Sequence, residues 1–110
     1  MAFDEALADR VRELVATEPG VAERRMFGGL AFLIGGNMSV SVSGQGGLLL
    51  RCDPAQTDAL ASQRHAAIAV MRGRAMNGWV RVREEGVVED EDLKRWVETG
   101  VGYARSLPPS

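Results

Sequence analysis

Apolar residues change their spacing several times along this chain, and each change marks an element. Phe3, Leu7, Val11, Leu14 and Val15 form the stripe of an amphipathic helix, with Asp9, Arg10, Arg12 and Glu13 turned away. Glu18-Pro19-Gly20 stops that helix, because proline disfavours helix in the residue before it and glycine permits a left-handed cap. Short strands then alternate with glycine pairs: Arg24–Phe27, Gly28-Gly29, Leu30–Ile34, Gly35-Gly36-Asn37. Met38–Ser43 alternates strictly, which predicts a strand with Met38, Val40 and Val42 on one face and three serines on the other. Gly44-Gln45-Gly46-Gly47 turns the chain into another strand, Leu48–Cys52. Connections this short imply an antiparallel meander.

At Asp53-Pro54 the pattern switches to a helix start, with Asp as cap and Pro in the first turn, so a helix is predicted from Pro54 to about Arg64. Leu60 is its only large apolar residue. Ile68–Met71 reads as a strand or an extended connection, Gly73–Gly78 as a loop, Trp79–Arg83 as a strand and Glu84-Glu85-Gly86 as a turn. The final helix carries Leu93, Trp96, Val97, Gly100, Val101 and Ala104 on one face. Glu89–Asp92 precede it, where acid suits the helix dipole, and Arg105 lies near the other end. The expected fold is α+β and two-layered, in the order α-β-β-β-β-α-β-α. A mostly antiparallel sheet of about five strands carries three helices, and a single domain fills residues 1–110. The second sheet face is then solvated, paired with another copy in a homodimer, or used to hold a partner.

Composition narrows the class. One hundred and ten residues, 45% apolar and 25% charged, suit one domain with its own core. The single cysteine, Cys52, excludes an intramolecular disulfide framework. The longest apolar run, Gly28–Gly36, is far short of the ~20 residues that cross a bilayer, and the acidic N-terminus is unlike a signal peptide. A cytoplasmic protein without a membrane role is expected.

Candidate chemistry is sparse. Cys52 and His65 are each the only residue of their kind, and nothing in their spacing brings them together as nucleophile and base. One cysteine and one histidine cannot build a zinc site. Glu89–Asp92 lacks the alternating ligands and glycine of a calcium loop. The glycine pairs lie between strands, whereas phosphate loops lie between a strand and a helix. No catalytic residue, metal or cofactor is therefore expected.

One segment changes the picture that a formal net charge of -2 suggests. From Ala59 to Arg83 there is no acid, while Arg64, Arg72, Arg74, Arg81 and Arg83 add five positive charges and leave -7 for the rest. In Trp79–Arg83 the residues Trp79, Arg81 and Arg83 share one strand face, with Val80 and Val82 on the other. Arg72, Arg74, Trp79, Arg81 and Arg83 are the candidate anion or partner-binding residues. An aromatic beside guanidinium groups can stack on bases or grip phosphates, which leaves DNA or RNA open as a partner. A solvated or protein-contact face explains the same residues.

Other residues match a known pattern. Arg25-Met26-Phe27-Gly28-Gly29, Phe32, Gly36-Asn37-Met38 and Leu50-Arg51-Cys52-Asp53 resemble the N-terminal domain of the TfoX/Sxy family. So do Gly73-Arg74-Ala75-Met76-Asn77-Gly78-Trp79-Val80 and Leu93, Trp96 and Val97. The resemblance runs from about Arg24 to Arg105; Ala66-Ala67 departs from it, since family members commonly carry an aromatic there. It implies three helices against one mostly antiparallel sheet, similar to small secretion-chaperone-like domains. It also implies kinship with bacterial regulators of natural competence, which act on transcription with the cyclic-AMP receptor protein and usually carry a second domain. The chain looks like a stand-alone copy of the first. The family supplies no catalytic residues, and Met26, Phe27, Gly28, Gly29, Gly78 and Trp96 are of the fold-determining kind. The expected function is a non-enzymatic binding or regulatory module working through protein contacts. The alternatives are a nucleic-acid-associated regulator using residues 64–83 and, more remotely, a small enzyme using Cys52 or His65.

Overall fold

A computed structural model describes residues 3–26 and 28–110. Among the described residues, helix α1 (Glu5–Leu14) leads into four strands, β1 (Val21–Met26), β2 (Gly29–Ile34), β3 (Asn37–Val42) and β4 (Leu48–Arg51). A 3-10 turn (Pro54–Gln56) and the short helix α2 (Thr57–Ala61) follow, then β5 (Ala66–Met71), β6 (Arg74–Val82), a second 3-10 turn (Glu84–Val87) and α3 (Asp90–Ser106). The strands form one antiparallel sheet ordered β1-β2-β3-β4-β6-β5. The α+β class and the three helices are as expected, but the strands number six.

The sixth strand is β5, where the sequence leaves Ile68–Met71 open between a strand and an extended connection, and β6 begins at Arg74, within the Gly73–Gly78 stretch expected to be loop. Met71 pairs with Arg74, so Arg72 and Gly73 alone make the turn of a β5–β6 hairpin, with φ of +52° and +76°. Two left-handed residues are what a tight hairpin of this twist requires, and arginine in the first disguises it. The helix expected to reach Arg64 stops at Ala61. Asp53 caps the 3-10 turn at Pro54, accepting from the Ala55 N–H at 2.9 Å, and α2 itself begins only at Thr57.

One sheet face is the core. Leu30, Phe32, Val40, Val42, Leu48, Leu50, Val80 and Val82 pack beneath Leu7, Val11 and Val15 on the α1 side and Leu93, Trp96, Val97 and Val101 from α3. Trp96 and Phe32 are fully buried there, as expected. Leu14 is not on the buried stripe. Val15 takes that place, one turn beyond Val11, and leaves Leu14 exposed at the rim. Gly100 lets α3 approach the sheet: a Cβ there would sit 2.6 Å from the Ser39 carbonyl oxygen. Asp4 caps α1 through the Leu7 N–H at 3.1 Å. Arg12 grips Glu23 with two nitrogens and joins α1 to β1.

The regular alternation expected along Met38–Ser43 breaks at its start. Phe32 pairs with Val40 but Leu33 pairs with Met38, which leaves Ser39 as an extra residue in a bulge. Ser39 is buried and donates its hydroxyl to the Phe32 carbonyl at 2.8 Å. Met38 is thereby turned away from Val40 and Val42 to the second face.

Candidate functional site

The second face carries a groove of about 440 Å³ lined by residues from all six strands. Cross-strand register builds part of its floor: Ser41, Leu49 and Arg81 lie opposite one another on β3, β4 and β6. Met26, Met38, Met71 and Met76, four of the five methionines in the chain, line it together with Trp79. Two bulges bring in two of them. Met38 arrives through the Ser39 bulge. Met76 arrives because β6 advances five residues, from Val80 to Ala75, while β5 advances two, from Ile68 to Val70. Gly78, at φ +91°, absorbs that irregularity, and its N–H donates to Thr57 Oγ1 at 2.8 Å.

Methionine is unbranched and polarisable, so a surface rich in it adapts to different apolar partners. Arg72 and Arg81 also line the groove, and no acidic residue does among the described residues. Arg81 Nη1 donates to Ser43 Oγ at 2.9 Å, which holds the half-buried guanidinium in place. Arg51 lies 5.7 Å from the ring centres of both Trp79 and Tyr103, a stacked cation between two aromatics. A hollow of the same volume between α1 and α3 is lined by charges of both signs and includes the Arg105–Glu18 ion pair. The groove is the more distinctive surface.

Trp79 and Arg81 sit side by side on the groove face, half-buried, opposite the buried Val80 and Val82. Arg72 is at the hairpin tip and Arg74 beside it, both exposed. Arg83 lies beyond the groove, where its Nη2 donates to His65 Nδ1 at 3.2 Å. None of these arginines forms an ion pair among the described residues. Of the family-motif residues, Met26 and Gly29 line the groove and Gly28 makes the β1–β2 turn at φ +75°. Trp96 is in the core on the opposite face. Phe27 lies outside the described residues. Leu49, Met38, Met71 and Met76 were not marked by sequence reasoning; methionine content was the available signal, and the bulges concealed where it converges.

Cys52 and His65 are each occupied elsewhere. Cys52 is buried with its sulfur 3.8 Å from Thr57 Oγ1, and burial pushes its thiol pKa up, the reverse of an activated nucleophile. His65 partners Arg83. Among the described residues no three or more of His, Cys, Asp and Glu gather as metal ligands, and no helix is long and apolar enough to cross a membrane.

A sheet covered by helices on one face and grooved by methionine and arginine on the other makes this an α+β domain with one open sheet face. The chain belongs to the TfoX N-terminal domain family, whose model matches residues 13–104. It is a family of regulatory, non-catalytic domains. No curated protein and no solved structure matches the chain.

Proposed function

We propose that this protein is a non-enzymatic regulatory module that works in the cytoplasm by holding a protein partner against the groove face. The observation that carries the reading is that Met26, Met38, Met71 and Met76 line one groove together with Trp79 on the sheet face without helices. Adaptable apolar side chains together with an aromatic suit protein contacts. The same proposal extends to a role in transcriptional regulation like that of competence regulators, which membership of the TfoX N-terminal domain family supports.

The test compares the wild-type chain with Met38→Lys and Met76→Lys as bait, with the complexes weighed by light scattering. A protein retained by wild type and released by both variants supports the reading. A monomer that retains nothing, or retains the same proteins with and without the methionines, contradicts it.

A second reading rests on Trp79, Arg72 and Arg81 in an acid-free groove: stacking and phosphate contact with a nucleic acid. It requires binding that weakens linearly in log affinity against log salt, and a smaller slope when Arg72, Arg74, Arg81 and Arg83 become Gln. Absence of any complex at low salt removes it.

A further inference from the structure

The two edges of the sheet are protected unequally. β1 carries Glu23, Arg24 and Arg25, and Glu23 is clamped by Arg12, so this edge presents charge to any approaching strand. β5 is Ala-Ala-Ile-Ala-Val-Met, with no charge and no proline. It pairs with β6 alone among the described residues. Val70 is 54% exposed and Met71 38% exposed, both against the groove. A long apolar edge of this kind is a template for an added strand.

The backbone direction agrees. His65 accepts from the Arg83 N–H at 2.9 Å, so the antiparallel ladder turns Ala67 toward β6 and leaves the N–H and C=O of Ile68 on the open side. The charges around β5 select the occupant. Arg64 precedes the strand, Arg72 and Arg74 follow it, all are exposed, and no acid occurs between Ala59 and Arg83. A second copy is a poor match. Antiparallel self-pairing of β5 sets Arg64 of one copy near Arg72 and Arg74 of the other, and like charges across a strand pair repel.

We propose that β5 is the docking edge, taking an extended, acid-flanked apolar segment of the partner as a seventh strand. The added strand bonds to the open side of β5 and lays alternate side chains over Met71, Met76 and Trp79. Its flanking carboxylates meet Arg64 at one end and Arg72 and Arg74 at the other. This deepens the protein-contact reading and rests on it.

The probe is a capped peptide of alternating valine and threonine flanked by aspartate pairs, with a lysine-flanked version beside it. Each is titrated into the full chain with labelled amides and methionine methyls. The aspartate peptide is expected to shift and protect the amides of 66–71 and to move the Met71 methyl, with the lysine peptide about tenfold weaker or worse. Val70→Asp and the Arg72→Gln/Arg74→Gln pair, all at exposed positions, each weaken it by a similar factor while the thermal melt confirms folding. Equal binding of the two peptides, shifts that avoid β5, or no shift at about millimolar peptide overturns strand addition. If β5 stays silent while Met38→Lys and Met76→Lys still release a captured protein, strand addition fails and the protein-contact reading survives. If those variants release nothing, the broader reading fails.

Discussion

Arg81 Nη1 donates to Ser43 Oγ at 2.9 Å, reaching across β4 from β6 to the end of β3. The half-buried guanidinium has this hydroxyl but no carboxylate as its partner among the described residues. A charge placed for the fold would have an acid beside it. Arg81→Met is therefore expected to leave thermal stability unchanged or slightly raised, since it removes an uncompensated half-buried charge from an apolar groove. A marked fall in Tm would make Arg81 a structural residue.

Gly100 and Gly102 stand two residues apart in α3 and predict opposite outcomes. A Cβ at Gly100 would lie 2.6 Å from the Ser39 carbonyl oxygen and 2.7 Å from Val40 Cγ1, whereas at Gly102 it meets nothing within 4 Å. Gly100→Ala should destabilise by about 1–3 kcal/mol through overpacking. Gly102→Ala should stabilise by about 0.5–1 kcal/mol through helix propensity. Urea denaturation of both variants measures the difference.

Thr57 connects the core to the groove. Its buried hydroxyl accepts from the Gly78 N–H at 2.8 Å and donates to the Pro54 carbonyl at 3.0 Å. Thr57→Val keeps the shape but strands a buried N–H, at a cost of about 1–3 kcal/mol. The bulge at Gly78 aims Met76, so the Met76 methyl resonance should move as well. A variant that loses stability with an unmoved Met76 would disconnect Thr57 from the groove.

Cys52 gives a chemical test of the enzymatic alternative. Buried and with its thiol pKa raised, it should resist iodoacetamide at neutral pH and react fully only when the chain unfolds. Rapid alkylation of the folded protein would reopen the case for a reactive thiol.

The pair of Arg12 and Glu23 predicts the acid limb of stability. Hydrogen bonds from Arg12 hold the folded-state Glu23 carboxyl below the ordinary glutamate range. Its contribution is present above the unfolded pKa and is lost as pH falls through the lower folded value. Glu23→Gln should remove that part of the pH dependence. The effect is small and screened by salt, because both side chains are partly exposed. An unchanged acid profile in Glu23→Gln contradicts this assignment.

These outcomes separate what spacing reveals from what it conceals. The α3 face from Leu93 to Ala104 was legible because one helix stripe packs on one sheet. The opposition of Val80 and Val82 to Trp79 and Arg81 was legible because a regular strand alternates. Met38 was not, since the bulge at Ser39 separates it from Val40 and Val42, and period-two reasoning carries a side chain to the wrong face past an inserted residue. Met76 was not, since Gly73–Gly78 reads as a loop and the strand there is irregular. The β5–β6 hairpin was hidden by Arg72, a residue whose type does not advertise a left-handed turn position. The groove therefore depends on irregularities, while the core depends on periods.

The most direct test of the groove as a contact surface replaces methionine with its diazirine analogue, photo-methionine, followed by illumination in cell extract. Four of the five substituted positions then line the groove. Crosslinks to a protein partner at Met26, Met38, Met71 or Met76 are the predicted result. Crosslinks at Met1 alone, or none to any protein, would contradict it.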